Sequence, residues 1–458
     1  MGELMNKLKV GYASVNINPP LGIGVYGYYV PRFAKGFLDD LMASTLALSC
    51  GEKTLFMIST DAGAVPGIIV DRIIKGVEDA TGISAQNVYI SATHTHTSPS
   101  ITPPAGFKAD EKVIAEYADF FVSRVIDCAK LALEDLKPAK MGYAVGKAPD
   151  RIAYIRRYKM KDGTTMTCPP VGDPNIAHPI GELDQRINVV RFDRKNAKSI
   201  VLVNYGLHAD TINGELISSD WIGWVRTTLD KSLDGVECIC FIGAQGDVGS
   251  TNVHPVDGDM NDTEISFDNE MKSPGMARFI GRAIAGTVLQ VYDKVKYVDV
   301  DKVDIFHLDV NIPANKPDKK DMPLARKYKE LHESGRDDLI PYQAMELTTV
   351  VAEALRMCDM ENGPDYFVLK ILGLRIGEIA FIGIPGEPFT EIGVKIKETE
   401  GWGLIMPCAQ TNGAEGYFPV KSAFDEGGYE ARTSPFKSCV SENIINGAKQ
   451  ILFELKNK

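Results

Sequence analysis

The beginning of the chain alternates short apolar segments with one amphipathic segment. Apolar runs bounded by Gly, Pro and polar residues predict strands at 11–17, 41–49, 54–60 and 88–91. Between the last two strands, Ile69, Ile73 and Val77 recur at helical spacing, which predicts a helix over 67–80. A strand, a helix and a second strand in this order form a β-α-β unit, and that unit predicts two parallel strands.

The middle of the chain continues this alternation. An apolar stripe that includes Tyr117, Phe121 and Val125 predicts a long amphipathic helix over 110–136. The next elements are a helix over 274–294 and, before it, strands at 140–145, 151–159, 187–192, 199–205 and 237–242. This order predicts an α/β fold with a mixed, mostly parallel sheet core and helices on both of its faces.

The pattern changes after the helix over 274–294. The predicted elements there are a strand over 298–312, helices over 322–333 and 343–362, and a strand over 366–375. They predict a small α+β addition, or sub-lobe, at 297–373 within a single catalytic domain that covers 1–458. Strands at 378–384 and 404–409 and a last helix that ends near Leu455 complete the prediction.

Composition narrows the classes of partner. The chain has 458 residues, with 50 Lys and Arg against 61 Asp and Glu, and its net charge of −11 disfavours nucleic acid or an anionic membrane surface. The N-terminal residues contain no apolar export signal, and no stretch reaches membrane-spanning length. The eight cysteines are scattered without a CxxC pair. We therefore expect a cytoplasmic protein with free thiols and no integral membrane association.

The histidines His94 and His96 follow the predicted strand at 88–91 directly. Side chains two positions apart on an extended chain point the same way. Imidazole is the commonest metal ligand, and its charge changes near neutral pH. The pair therefore indicates a metal site or an acid/base site, and the alternative is two hydrogen-bonded loop histidines.

Two other features near the beginning have mainly structural interpretations. Residues 22–27 match the pattern GxGxxG, but prolines flank them instead of a strand and a helix. We reject a dinucleotide site and predict a glycine loop with special backbone angles. Asp61 ends the strand at 54–60, where it either supports a metal histidine or caps a loop.

Polar residues also follow later strands. His208 comes after the strand at 199–205, and Glu387 comes after the strand at 378–384. Prolines on both sides hold the Glu387 carboxylate at a strand exit, where it can meet a cation. The alternative for Glu387 is a first-turn helix residue that the helix dipole favours.

The order of these motifs resembles that of the neutral/alkaline (non-lysosomal) ceramidase family from about residue 9 to about residue 435. The matching motifs are Thr-His-Thr-His at 93–96, Gly-Asp-Val at 246–248, Pro-Gly-Glu at 385–387 and the tyrosines at 417 and 429. The resemblance implies a zinc ion held by two histidines, a glutamate and a tyrosine. The corresponding residues here are His94, His208, Glu387 and Tyr417.

The resemblance also implies catalytic roles. It places an active-site arginine at Arg156, with Arg151 as a rival and a surface salt bridge as the alternative for either. His96 is expected to be a general base or proton shuttle. Arg156 and Tyr429 are expected to hold a developing oxyanion.

The chain departs from this family at its nucleophile. The residue after Gly-Asp-Val, where ceramidases have the serine thought to act as nucleophile, is Gly249, and Ser250 lies one position later. This shift moves a hydroxyl by several ångströms and argues against a covalent step. The family's export signal and C-terminal β-domain are also not recognised in the sequence.

The leading hypothesis is a zinc hydrolase that cleaves an amide or ester bond of a small or amphiphilic molecule with a metal-activated water. The alternatives are a true ceramidase and a non-catalytic metal-containing binding protein. The nitrogen and oxygen ligands suit one Zn²⁺ per chain but would also admit Mn²⁺ or Fe²⁺. The expected partner is a small-molecule substrate, and a homo-oligomer is left open.

Overall fold

The computed structural model describes residues 8–104, 106–265 and 271–457. Its strands, in chain order, are β1 (Leu8–Asn16), β2 (Gly36–Phe37), β3 (Met42–Cys50), β4 (Lys53–Thr60), β5 (Val88–Ala92), β6 (Lys137–Lys147), β7 (Tyr154–Ile155), β8 (Arg157–Met160), β9 (Thr165–Thr167), β10 (Ile176–Pro179), β11 (Arg186–Arg194), β12 (Ile200–Tyr205), β13 (Leu216–Ile217), β14 (Glu237–Ile242), β15 (Val248–Gly249), β16 (Glu264–Ile265), β17 (Met271–Lys272), β18 (Lys296–Val298), β19 (Val303–Pro313), β20 (Tyr366–Ile376), β21 (Ile379–Gly383), β22 (Glu387–Pro388), β23 (Leu404–Cys408) and β24 (Tyr417–Phe418).

The α-helices of the same residues are α1 (Gly67–Thr81), α2 (Glu111–Glu134), α3 (Asp220–Ser232), α4 (Pro274–Tyr292), α5 (Met322–Glu333), α6 (Ala344–Glu361), α7 (Thr390–Lys397), α8 (Lys421–Glu426), α9 (Tyr429–Thr433) and α10 (Val440–Asn457). No helix within these described ranges combines the length and the apolar composition that crossing a bilayer requires.

The large sheet has nine strands in the order β14-β12-β11-β6-β1-β3-β4-β5, with β18 paired to β6. The predicted mixed α/β class is confirmed, but the sheet is less parallel than predicted. Parallel pairing occurs between β4 and β5 and between β12 and β14, whereas the other pairs are antiparallel. The connections explain this, because tight turns join β3 to β4 and β11 to β12, while crossovers through α1 and α3 join the parallel pairs.

The helices are also arranged differently from the prediction. One face of the large sheet packs against α1 and α2 and, further along, against α3 and α4. The other face packs against a second sheet of four strands, in the order β19-β20-β21-β23. Helices α7 and α10 cover the outer face of that second sheet. The result is four layers, helix, sheet, sheet and helix, and apolar residues alternate between the two faces of each strand.

The region predicted as a sub-lobe contributes to this second sheet. Strands β19 and β20 pair along their whole length, and β20 continues the pairing to β21. Between them in the chain, α5 and α6 pack against each other with apolar clusters of their own. The division of the chain into one domain with a sub-lobe at 297–373 stays a prediction.

The close packing of β1 on α2 gives a test of the layer arrangement. A Cβ atom at Gly11 would lie 1.9 Å from the carbonyl oxygen of Ala132 in α2. We expect Gly11→Ala to lower the free energy of unfolding by about 1–3 kcal/mol, because overpacking forces the layers apart. Equilibrium unfolding in urea measures this change.

Gly286→Ala is the matched control. Gly286 lies inside α4, and an added Cβ there meets no atom within 4 Å. Alanine favours a helix more than glycine does, so this variant should gain about 0.5–1 kcal/mol of stability. A Gly11→Ala protein as stable as the parent would contradict the packing of α2 on β1.

Candidate active site

The loop after β5 carries His94 and His96. β5 ends at Ala92, and the backbone N–H groups of His94 and His96 donate to the carbonyl oxygens of Ala62 and Ala209, each at 2.9 Å. His94 has a φ of 60°, a left-handed conformation that non-glycine residues seldom adopt. The two rings converge nonetheless, with 3.2 Å between their Nε2 atoms. The loop, rather than an extended strand, therefore aligns them.

His208 follows β12 and faces the same point. Its Nδ1 lies 2.8 Å from the carbonyl oxygen of Gln245 and 3.0 Å from that of Val248. Likewise, Nδ1 of His94 lies 2.5 Å from the carbonyl oxygen of Gly63. A carbonyl oxygen only accepts, so Nδ1 carries the proton in both rings. This leaves the lone pair on Nε2, as a metal ligand requires.

Glu387 joins the two histidines. Its Oε2 lies 3.2 Å from Nε2 of His94 and 2.9 Å from Nε2 of His208. Glu387 belongs to β22, which pairs in parallel with β24 and places Glu387 opposite Tyr417. A glycine permits this crossing of segments, because a Cβ at position 246 would lie 2.5 Å from the carbonyl oxygen of Glu387.

The spacing of these atoms fits a metal ion. A tetrahedral zinc with bonds of about 2.0–2.1 Å places its ligand atoms about 3.3 Å apart. Three of the contacts have similar lengths: His94 to His96 and His94 to Glu387 are 3.2 Å, and His208 to Glu387 is 2.9 Å. The three histidines are buried and offer ligand atoms within 4.8 Å of one another. The cluster can therefore hold a metal, and His96 is close enough to be a ligand as well as a base.

Burial and neighbouring charges set the protonation of the cluster. Burial raises the pKa of Glu387, but His94 and His208 outweigh it and hold that pKa well below its usual range. Burial lowers the pKa of His208, and Arg156 lowers it further. Burial also acts to lower the pKa of His94, yet Glu387 outweighs burial and the pKa is raised. The carboxylate thus favours a cation beside it, either a proton on His94 or a metal ion.

Arg156 lies beside the cluster. Its Nε donates to Glu430 at 2.7 Å, and its Nη2 donates to the hydroxyl of Tyr417 at 3.0 Å. Its Nη1 is 3.5 Å from Nε2 of His208. The rival Arg151 is instead hydrogen-bonded to Asp259, outside the cluster.

A cavity of about 320 Å³ opens onto the cluster. Five predicted site residues line it, namely His94, His96, Glu387, Tyr417 and Tyr429. Much of the remaining lining is tyrosine and proline, from Tyr26, Tyr28, Tyr29, Pro66, Pro103 and Pro104. With His208 and Arg156 in contact with these residues, the structure brings together all seven predicted positions. Their individual roles stay predictions.

Sequence reasoning missed two buried carboxylates. Glu430, beside Tyr429, accepts hydrogen bonds from Arg156 and from Thr167. Asp247, within Gly-Asp-Val, accepts from the backbone and hydroxyl of Thr390 at the start of α7, at 2.7 and 2.8 Å. Asp247 lies within a motif that resembles one of the ceramidase family, and Glu430 lies beside another. These positions were the sequence signal that could have identified both carboxylates as site residues.

Asp61 and the glycine loop have supporting roles. Asp61 binds Arg226 at 3.0 Å and Thr93 at 3.3 Å rather than a histidine ring, so the metal-supporting alternative is wrong for it. In the glycine loop, Gly27 has a φ of 112°, and a Cβ there would lie 2.7 Å from Nδ1 of His96. The special backbone angles predicted for this loop therefore let it pack directly on the site.

Positions 249 and 250 face different spaces. A Cβ at Gly249 would lie 3.5 Å from Cβ and 3.8 Å from Cδ of Arg156, which itself lies beside the cluster. Ser250 instead lines a separate cavity of about 680 Å³, together with Tyr154 and Arg278. The Ser250 side chain thus lies in a different environment from position 249, the residue directly after Gly-Asp-Val.

Comparison with known proteins identifies the fold. No protein-family model and no curated protein matches this chain. The crystal structure of neutral ceramidase from Pseudomonas aeruginosa matches with a TM-score of 0.72 at 16% identity, covering 98% of this chain and 75% of that chain. A ceramidase complexed with C2 matches with a TM-score of 0.71 at 15% identity and the same coverage. The chain has a neutral ceramidase-like fold, as its motifs predicted.

Metal content tests the cluster. We expect the purified protein to carry close to one divalent metal ion per chain, and His94→Ala and His208→Ala to lose it, because each removes a nitrogen beside Glu387. Elemental analysis by mass spectrometry measures this. His307→Ala is the control, since His307 is exposed and contacts Gln86 instead. A metal-free parent protein, or metal content unchanged in both variants, would refute the site.

Proposed function

We propose that this chain is a metal-dependent hydrolase, with zinc as the expected metal, that cleaves an amide or ester bond of a small or amphiphilic substrate. The main support is the convergence of His94, His208, Glu387 and Arg156 beside one cavity. The fold that the chain shares with neutral ceramidase is consistent with this chemistry.

The residues of the site have different roles in the proposed reaction. His94, His208 and Glu387 hold the metal, which when bound supplies Lewis acidity that acidifies water and polarises a carbonyl group. Burial and the Glu387 carboxylate raise the pKa of the Tyr417 hydroxyl well above its usual value, against the opposing effect of Arg156. This hydroxyl, which accepts a hydrogen bond from Arg156 at 3.0 Å, would be the fourth ligand.

Nε of Arg156 donates to Glu430, and Nη2 donates to Gly246 and Tyr417. Nη1, which lies 3.5 Å from Nε2 of His208, would then offer a hydrogen bond to negative charge that develops on the substrate.

His96 is suited to accept a proton. Burial lowers its pKa well below the usual range, against the opposing effect of Asp210. The ring is therefore neutral, and its Nε2 faces the cluster beside His94. A neutral imidazole in this position acts as a general base or as a third nitrogen ligand.

Water is the nucleophile in this proposal. The residue after Gly-Asp-Val is Gly249, which has no hydroxyl, and Ser250 lines another cavity. Attack by a hydroxyl depends on its reaching the carbonyl in the correct orientation, and a misplacement of 1 Å has a large effect on the rate, up to about a hundredfold.

Ser250→Ala tests this assignment. We expect hydrolysis to fall by less than about tenfold, or about 1.4 kcal/mol of transition-state stabilisation, because Ser250 lines a different cavity from the cluster. The measurement is kcat/KM of the variant and the parent. His96→Ala is the contrast, with a far larger loss expected. A covalent acyl-enzyme on Ser250, detected by mass spectrometry during turnover, would overturn the assignment.

The cavity supports a compact substrate. Its volume of about 320 Å³ is at the low end of the range of about 300–1,000 Å³ typical of small-molecule sites. Tyrosine and proline side chains form much of its wall. A true ceramidase is the second candidate, because the fold matches that of neutral ceramidase.

A substrate panel separates these candidates. We expect soluble amides, esters or lactones to be hydrolysed with higher kcat/KM than long-chain ceramide in detergent, at equal concentrations of metal-loaded enzyme. Ceramide turnover better by about a hundredfold, or about 2.7 kcal/mol, would favour the true ceramidase. Metal binding without turnover of any compound would favour a binding protein.

A further inference from the structure

His96 has one ring nitrogen directed at the cluster and the other directed at a carboxylate. Nε2 lies 3.2 Å from Nε2 of His94. Nδ1 is buried and makes no hydrogen bond to the described residues. A carboxylate oxygen of Asp210 lies 3.6 Å from it, slightly beyond hydrogen-bond distance. A small movement of the ring would therefore join Nδ1 to Asp210.

Asp210 is itself held firmly. Its Oδ1 accepts from the Tyr28 hydroxyl at 2.8 Å, and its Oδ2 pairs with Nζ of Lys272 at 2.7 Å. Nζ of Lys272 also donates to the Tyr28 hydroxyl at 2.6 Å. The Lys272 side chain is only 2% exposed, so this ion pair is shielded from water. An ion pair buried in this way is costly to separate, which keeps the carboxylate in place.

The surroundings of His96 restrict its ring. The rings of Tyr26 and Tyr28 contact it edge-on, each with centroids 5.9 Å away. Gly27 packs against the ring so closely that a Cβ there would lie 2.7 Å from Nδ1. Arg32 donates to the His96 carbonyl oxygen at 2.9 Å. Packing thus limits the ring to small movements, and a small movement is enough to bring Nδ1 within hydrogen-bond distance of Asp210.

We propose that Asp210 is a positioning residue for His96, whose Nδ1–H it accepts so that Nε2 stays directed at the cluster. This inference rests on the proposed hydrolase function, because it gives His96 a task in that reaction. A carboxylate that binds one ring nitrogen of histidine fixes both the tautomer and the ring orientation. Hydrogen bonds of this kind are often long before substrate binds and shorten in the reacting complex.

The first test reads the tautomer directly. Nitrogen-15 NMR of histidine-labelled, zinc-loaded protein distinguishes the Nδ1–H and Nε2–H forms, and His96→Gln identifies the His96 signals. We expect His96 in the Nδ1–H form in the parent, and in a different or mixed form in Asp210→Asn. Identical His96 signals in the two proteins would overturn the proposal. The measurement needs no substrate, so it is independent of whether hydrolysis is found.

The second test is kinetic, on the best substrate of the panel. Asp210→Asn should lower kcat by about 10- to 100-fold, as expected for loss of a carboxylate that orients a histidine, with KM changed by less than about threefold. An unchanged kcat, or a change confined to KM, would count against a positioning role.

Asp184→Asn is the matched control. The Asp184 carboxylate is 13% exposed and pairs with Lys397 at 2.7 Å, much as Asp210 is 14% exposed and pairs with Lys272 at 2.7 Å. Asp184 contacts Arg186 rather than a histidine, so its variant should keep the parent's kcat and His96 signals.

If Asp210→Asn does not fold, Tyr28→Phe is the alternative variant. It removes one hydrogen bond to Asp210 and should lower kcat by about fivefold. Full activity and parent-like His96 signals in Tyr28→Phe would then refute the proposal.

Discussion

A buried carboxylate between two imidazoles is the interaction on which this site depends. The Glu387 side chain is 7% exposed and touches Nε2 of both His94 and His208. An isolated charge at such a depth is strongly unfavourable, so a cation must share the space. Backbone hydrogen bonds hold the segment that carries Glu387. The Glu387 N–H donates to the carbonyl oxygen of Gly416, and the carbonyl oxygen of Pro388 accepts from the Gly246 N–H.

The four-layer fold brings the ligands together from two sheets. His94 and His208 follow strands of the large sheet, whereas Glu387 follows a strand of the second sheet. Backbone hydrogen bonds join the sheets near the site, where Ala92 donates to Gln410 and Ala409 donates to Ile242. A shift of one sheet against the other would separate the histidines from the carboxylate. The site therefore forms only when the two sheets are stacked in this arrangement.

This chain shares its fold with neutral ceramidase but differs from the ceramidase motif at the residue after Gly-Asp-Val. The fold and the cluster around Glu387 are present. The residue after Gly-Asp-Val is Gly249, which lies beside Arg156 and has no hydroxyl. Groups that bind a metal and stabilise negative charge do not require a covalent nucleophile, because an activated water can supply the attack. The proposed hydrolase therefore does not need a serine at this position.

Most of the long helices and strands, and the candidate site residues, could be predicted from the sequence because they depend on local information. The predicted strand at 151–159 is an exception, since it forms two short strands, β7 and β8. Periodicity along 67–80 and 110–136 predicted α1 and α2, and strand-end motifs supplied His94, His208 and Glu387. Strand direction could not be predicted in this way, since an apolar run has the same pattern in a parallel and an antiparallel pair. Only the tertiary structure paired Arg156 with Glu430, 274 positions away, and Asp210 with Lys272, 62 positions away. No local pattern carries such contacts, because they arise where layers formed by distant segments pack together.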